Sequence, residues 1–273
     1  MSEEQDQNGA YPPIEIARKV ERLGVAKARA DVLTFFVLAV LAGAFISLGA
    51  LFFVVVVTDS ALGFGVTRLL GGVSFSLGLI LVVIAGAELF TGNNLIAMAW
   101  ASRLIGARDV LRSWLLAYVG NVVGCLGTVL LVTLSNVAGL GGGAVGKTAI
   151  AIAHGKAGLS VTEVFTRGIL CNALVCLAVW LAIGARSVTD KILAIVFPIT
   201  AFVAIGFEHS IANWFLLPYG WVLGGSGEVP LEGALWNLAA ATAGNLAGGT
   251  LLVAGVYWVA YLRGESMRNR QSP

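Results

Sequence analysis

The stretch G-F-E-H-S-I-A-N, residues 206–213, places two ionisable side chains, Glu208 and His209, next to each other. Both sit in an apolar region, because no Asp, Glu, Lys or Arg occurs from 192 to 207 or from 209 to 227. Ionisable groups are costly at depth in a membrane and mark a pathway or a partner. The alternative is a buried histidine that only hydrogen-bonds neighbouring backbone.

The composition around this stretch is that of a membrane protein. Hydrophobic residues make up 58% of the chain, charged residues 12%, and the mean hydropathy is +0.89. Soluble domains carry roughly 25% charged residues. The sequence has no basic stripe suited to nucleic acid, and its first thirty residues lack the apolar core of a signal peptide. Cys125, Cys171 and Cys176 lie in apolar runs and are interpreted as core residues, so no metal site and no cofactor are predicted.

Charge-free windows predict six membrane spans, since a crossing helix needs about 20 apolar residues. The second and fifth windows are interrupted by Glu88 and by Glu208 with His209. A Gly-rich loop is predicted near residue 140, and another loop at 218–232. The windows are 32–58, 69–87 with a further piece at 89–102, a span within 113–146, 168–185, 192–207 resuming to 217, and 233–262.

Three regions follow from these windows: an N-terminal segment 1–30, a transmembrane domain 31–263 and a tail 264–273. Pro12 and Pro13 open an apolar and charged stretch, 14–30, whose spacing is close to helical. We interpret it as an amphipathic helix at the membrane surface; an ordinary solvated helix before the first span is the alternative.

The basic residues set the predicted orientation. Six spans place the N-terminus, two short loops and the tail on one side. That side carries all of the 17 Lys and Arg except Arg68, Lys147, Lys156 and Arg167. The positive-inside rule then predicts that both termini are cytoplasmic, and the expected location is the inner membrane, which the chain crosses several times.

The two halves of the chain repeat each other. Aligning Glu88 with Glu208 also aligns Asn93 with Asn213, and G-N-V-V-G at 120–124 resembles G-N-L-A-G at 244–248. Each half has three spans, an odd number, so the halves must have opposite topology.

Both halves break a helix at the same place. Broken helices at depth are tolerated where they line a cavity or are buried in protein. The N-terminus of a half-helix carries partial positive charge, which suits an anion. We therefore predict two breaks that meet at mid-membrane and bring Thr91 close to His209.

These residues resemble the formate/nitrite transporters over 14–265. The resemblance is carried by A-E-L-F-T-G-N-N at 87–94, G-I-L-C-N-A-L-V-C-L-A-V-W at 168–180 and G-F-E-H-S-I-A-N at 206–213. It implies an all-α, aquaporin-like fold of six helices, a homopentamer in the lipid bilayer, and one pore per protomer for formate, nitrite or hydrosulfide.

The resemblance also implies roles for individual residues. His209 corresponds to the central histidine, and Thr91 is predicted to be its hydrogen-bond partner. Glu208 is assigned to holding the histidine tautomer or the helix break. Lys156 corresponds to the basic residue of the outer vestibule. The polar pore residues are Asn172 and Asn245, and the constriction is formed by Phe75, Leu79, Leu89, Phe90 and Phe202.

Several alternatives stay open at this point. Formate is the first substrate, with nitrite or hydrosulfide as the alternative, and His209 either protonates the substrate or only stabilises it. An intramembrane enzyme is the alternative of another class, but the sequence has no H-E-x-x-H and no G-x-S-x-G. A water or glycerol channel would carry paired Asn-Pro-Ala motifs, where this chain has T-G-N and I-A-N.

Overall fold

Six helices are long and apolar enough to cross a membrane in the computed structural model, which describes residues 9–271. They are Val32–Val57, Phe64–Gly86, Ala107–Leu134, Val161–Gly184, Val188–Ile205 and Leu231–Met267. The prediction of an all-α, multi-pass membrane protein is confirmed. Residues 1–8 and the end of the predicted tail lie outside the described residues.

The first half of the chain begins with a short helix and then crosses three times. Its second crossing helix widens into a π-helical turn, Val82–Gly86, and the chain resumes with a 3-10 turn, Gly92–Ile96. The helices are α1 (Pro13–Ala28), α2 (Val32–Val57), α3 (Phe64–Leu81), α4 (Ala97–Ala101) and α5 (Ala107–Leu134).

The second half has the same order. Its last crossing helix continues through two π-helical segments, Gly248–Gly255 and Trp258–Leu262. The helices are α6 (Ala144–Ala157), α7 (Val161–Gly184), α8 (Val188–Ile205), α9 (Ser210–Glu228), α10 (Leu231–Ala247) and α11 (Arg263–Gln271).

One helix was not predicted, and one segment predicted as a loop is helical. The segment after the Gly-rich turn forms α6, which carries Lys156. The predicted loop 218–232 is helical to Glu228, with Pro218 inside α9 and a non-helical residue at Gly225. Helix α6 escaped detection because its 14 residues are too few to span a membrane and its apolar side chains are mostly alanine.

Helix α1 confirms the helix predicted over 14–30, but its apolar face is covered by protein. Ile16, Ala17 and Val20 are buried, and they belong to one apolar cluster with Trp180 of α7. Packing against the crossing helices therefore holds α1 in place. Its location at the membrane surface stays a prediction.

Equivalent helix pairs in the two halves pack closely at glycines. A side chain at Gly124 of α5 would collide with the Val40 carbonyl of α2. The corresponding Gly248, at the end of α10, would collide with the Ile169 carbonyl of α7. Small residues let membrane helices approach this closely, so these glycines allow the equivalent helix pairs of the two halves to pack against each other.

Both broken helices end on the same backbone conformation. Gly86 and Gly206 each have a φ of 86°, a left-handed value that favours glycine. Each stands two residues before the aligned glutamate, Glu88 or Glu208. The inverted repeat predicted from the sequence is thus built with matching breaks.

Candidate functional site at the two helix breaks

An asparagine from the last crossing helix braces the second break. The Asn245 side chain accepts a hydrogen bond from the Ser210 N–H (2.8 Å) and donates to the carbonyls of Glu208 and Gly168 (2.9 Å each). Its partners Glu208 and Ser210 flank His209 in the sequence. Asn245 thus satisfies backbone groups that the break leaves without helical partners.

Asn121 braces the first break in the same way. It accepts from the Phe90 N–H (2.8 Å) and donates to the carbonyls of Glu88 (2.9 Å) and Ala39 (2.7 Å). Every partner occupies the position in the first half that corresponds to a partner of Asn245. The two breaks are therefore held by the same mechanism.

Lys156 and Glu208 form a buried ion pair beside the second break. The Lys156 Nζ lies 2.9 and 3.0 Å from the two Glu208 carboxylate oxygens, and the side chains are 17% and 3% exposed. Asn213 donates to the same carboxylate (2.7 Å), as does Asn237 (3.2 Å). Among residues 9–271 no hydrogen bond joins Glu208 to His209. The assignment of Glu208 to the histidine tautomer is wrong, and its contact with Asn213 supports the alternative, a role in holding the break.

A matching cluster, which the sequence analysis missed, stands beside the first break. Lys27 of α1 lies 2.7 Å from Glu88 and 2.6 Å from the Asn93 side-chain oxygen, and Asn93 donates to Glu88 (2.9 Å). The signal was in the sequence: Lys27 precedes the α2 N-cap Asp31 by four residues, and Lys156 precedes the α7 N-cap Ser160 by four. The repeat therefore includes α1 and α6.

His209 links the two breaks. Its Nε2 lies 3.1 Å from the Thr91 hydroxyl, as predicted, and its Nδ1 accepts a hydrogen bond from the Ala212 N–H at 3.1 Å. A nitrogen that accepts from a backbone N–H carries no proton, so we infer that the neutral ring carries its proton on Nε2. The Nε2–H then donates to Thr91.

An apolar barrier lies against this histidine. The Phe202 ring stacks on His209 with centroids 5.8 Å apart, and Phe75 meets Phe202 edge-on at 5.5 Å. Leu79 follows Phe75 by one turn of α3, about 6 Å along the helix. All of these apolar side chains are buried.

Two cavities reach the barrier from opposite sides. The first, of about 250 Å³, is lined by Lys156, Glu208, His209 and Phe75, among others; we call it the Lys156 cavity. The second, of about 450 Å³, opens on the side that bears the termini and is called the Lys27 cavity. Its lining includes Lys27, Glu88, Asn93, Leu79 and Leu89. Phe75 and Leu79 therefore face different cavities, and the barrier between them is about one helical turn thick.

The remaining predicted residues lie behind this path. Asn172 is buried and donates to the backbone carbonyls of Asn245 (2.7 Å) and Thr91 (3.3 Å). Phe90 packs edge-on against Tyr118, with centroids 5.0 Å apart. Asn172, Asn245 and Phe90 are absent from the lining of both cavities. Their assignment to the pathway stays a prediction.

The sequence is similar to known membrane transport proteins over most of its length. The family model described as Formate/nitrite transporter matches residues 14–259. The formate channel FocA of Escherichia coli strain K12 is 40% identical over 269 residues, covering 92% of this chain and 94% of FocA. The uncharacterized transporter YrhG of Bacillus subtilis strain 168 is 40% identical over 260 residues, covering 94% of this chain and 96% of YrhG.

Solved structures agree with the sequence comparisons. A pentameric formate channel with formate bound has a TM-score of 0.78 at 38% identity, covering 85% of this chain and 98% of that chain. An FNT family ion channel has a TM-score of 0.81 at 32% identity, covering 90% of this chain and 98% of that chain. These proteins are described as channels or transporters, not as enzymes.

Proposed function

The chain belongs to the formate/nitrite transporter family, and on that premise we propose that it conducts small monovalent anions, formate first, through the path between the two cavities. The observation that carries this proposal is the pairing of two lysine-bearing cavities across a barrier of about one helical turn. Each lysine is paired with a glutamate beside the barrier, and its ammonium group can still offer an anion a hydrogen-bond donor from either side.

The barrier itself selects for small, weakly hydrated species. A bare anion loses its water between Phe75 and Phe202, and unpaired charge is costly in apolar surroundings. His209 lines the Lys156 cavity at this point, and Thr91 lies within hydrogen-bond distance of its Nε2. The apolar stretch is about one helical turn long, so a small anion such as formate or nitrite is without its water over only a short distance.

His209 stabilises the anion by donating a hydrogen bond. With Nδ1 occupied by the Ala212 N–H, the proton on Nε2 is the one that a passing carboxylate can accept, in competition with Thr91. A neutral imidazole does not give up this proton near neutral pH. The geometry therefore favours stabilisation over proton transfer for the conformation described.

Uptake by proteoliposomes tests the proposed function. Purified protein is reconstituted, and the influx of formate, nitrite, hydrosulfide and the neutral solute glycerol is compared with that of protein-free vesicles. We expect fast influx of at least formate and no influx of glycerol above the control. If nitrite or hydrosulfide enters faster than formate, that anion replaces formate as the proposed substrate. Glycerol influx without anion influx would contradict an anion path altogether.

We also propose that the chain assembles as a homopentamer. The support is the pentameric formate channel that it resembles. Mass measurement in mild detergent is expected to give five times the 28.3 kDa of one chain. A stable monomer at the same protein concentration would contradict this proposal.

The proposed setting is the inner membrane with both termini cytoplasmic, as the distribution of Lys and Arg indicates. In that orientation the Lys27 cavity faces the cytoplasm. A single-cysteine label placed at residue 273 is expected to react only after the cells are opened. Labelling in intact cells by an impermeant reagent would reverse the assignment.

A further inference from the structure

Arg68 lies in the Lys156 cavity but belongs to neither lysine cluster. It stands in the second turn of α3, where its side chain lines the cavity. Phe75, at the barrier, follows it by seven residues on the same helix, about 10 Å along the axis. Arg68 therefore lies towards the mouth of the cavity.

The Arg68 guanidinium bonds uncharged partners. Its Nε donates to the Ala204 carbonyl (2.9 Å) and one terminal nitrogen donates to the Val203 carbonyl (2.7 Å), both at the end of α8. These carbonyls fix the side chain without cancelling its charge. In the part of the chain that the structure describes, no carboxylate forms an ion pair with Arg68.

The other two cations of the cavity are paired. Lys156 is neutralised by Glu208 at 2.9 Å, and Arg167 has Glu163 at 3.6 Å. Arg68 therefore contributes the uncompensated positive charge among the basic side chains that line this cavity. Low-dielectric walls focus such a charge towards the aqueous mouth.

The Lys27 cavity has no counterpart of this arginine. The repeat that aligns Glu88 with Glu208 aligns Arg68 with Val188, an apolar residue. The described lining of the Lys27 cavity includes one cation, Lys27, which is paired with Glu88. The two mouths thus differ in charge although the breaks match.

We propose that Arg68 is an anion-capturing residue that makes entry from the Lys156 side more favourable than entry from the Lys27 side. This inference rests on the proposed function, because it assumes that anions traverse the two cavities. The competing explanation is mechanical, with Arg68 serving only to hold the end of α8. The two explanations differ in what they predict for a lysine, which keeps the charge but cannot reproduce the two-carbonyl clamp.

The experiment measures formate currents in planar bilayers, with formate varied on one side at a time. Arg68→Gln is expected to raise the half-saturating formate concentration on the Lys156 side about two- to ten-fold at low ionic strength. Little change is expected when formate is varied on the Lys27 side. Arg68→Lys is expected to restore the wild-type value. Lys147→Gln, which removes a charge from an exposed residue outside the cavity lining, is the matched control.

Ionic strength gives a readout that needs no variant. Screening shortens from ~10 Å at 0.1 M salt to ~3 Å at 1 M. A higher concentration of an impermeant salt is therefore expected to raise the half-saturating formate concentration of the wild type. The increase should be larger on the Lys156 side, where Arg68 lies, than on the Lys27 side.

The outcomes separate the two proposals. If wild-type protein carries no anion at all, the proposed function fails. If the wild type conducts and Arg68→Gln matches it on both sides, the Arg68 inference alone is overturned. Equal loss of maximal current from both sides in the Gln and Lys variants would make Arg68 a clamp. A Lys147→Gln effect as large as that of Arg68→Gln would make the charge effect a general surface property.

Discussion

His209→Phe is expected to reduce formate flux about 10- to 100-fold, the loss of one hydrogen bond to a charged group. Phenylalanine keeps a flat ring against Phe202 but removes the Nε2–H that faces Thr91. It also removes the side-chain cap of α9, which costs about 1 kcal/mol of stability. Uptake into proteoliposomes between pH 5 and 8 measures the effect, after gel filtration has shown normal assembly.

His209→Asn separates hydrogen bonding from proton transfer. An asparagine can accept the Ala212 N–H as a helix cap and still offer an amide N–H, but it cannot exchange a proton near neutral pH. We expect it to keep more flux than His209→Phe, with the pH profile of the wild type. His154→Phe is the matched control, since His154 lies outside the lining of both cavities.

Two results would contradict this account of His209. Wild-type flux and pH profile in His209→Phe would make the histidine purely structural. Flux in His209→Asn as low as in His209→Phe, with the wild type alone showing a pH-dependent rate, would favour proton transfer over hydrogen bonding.

Asn245→Ala is expected to lower the thermal unfolding midpoint in detergent by about 10 °C or more, and to abolish flux in the protein that still assembles. The substitution leaves the Ser210 N–H and the carbonyls of Glu208 and Gly168 without their partner. Buried polar groups left unpaired are costly. The break that presents His209 would then lose its brace.

Substitutions of two other buried asparagines test whether the loss of stability depends on the number of hydrogen bonds removed. Asn121→Ala strips the equivalent three bonds from the first break and is expected to lower the midpoint by a similar amount. Asn172→Ala removes two donated bonds and should cost less. An Asn245→Ala protein as stable as the wild type, whether or not it conducts, would show that Asn245 is no brace.

The breaks and the repeat could be predicted from sequence because they leave marks that survive without a structure. A glutamate inside an apolar window is conspicuous in hydropathy, and the same glutamate and asparagine recur in both halves. Opposite topology then follows from counting three spans per half. The contact between Thr91 and His209 follows in turn, since the two breaks must meet.

The lysine clusters could not be predicted in full because their geometry depends on tertiary packing. Helix α6 is short and rich in small residues, so neither its length nor its hydropathy distinguishes it from a loop. Lys27 looked like one more charge on an amphipathic helix until α1 was seen to pack against the first break. The partners of Glu208 are likewise spread over α6, α9 and α10, and sequence spacing does not join them.

The matched clusters have a consequence for the energetics of the whole passage. An anion that enters from either side meets a lysine and its carboxylate, then the apolar turn, then the same groups in reverse order. The two lysine–carboxylate pairs alone would give a free-energy profile that is symmetric about the apolar turn, and a symmetric profile does not rectify. His209 and Arg68 line the Lys156 cavity only, so they are the departures from symmetry, and their variants would measure how far the currents in the two directions differ.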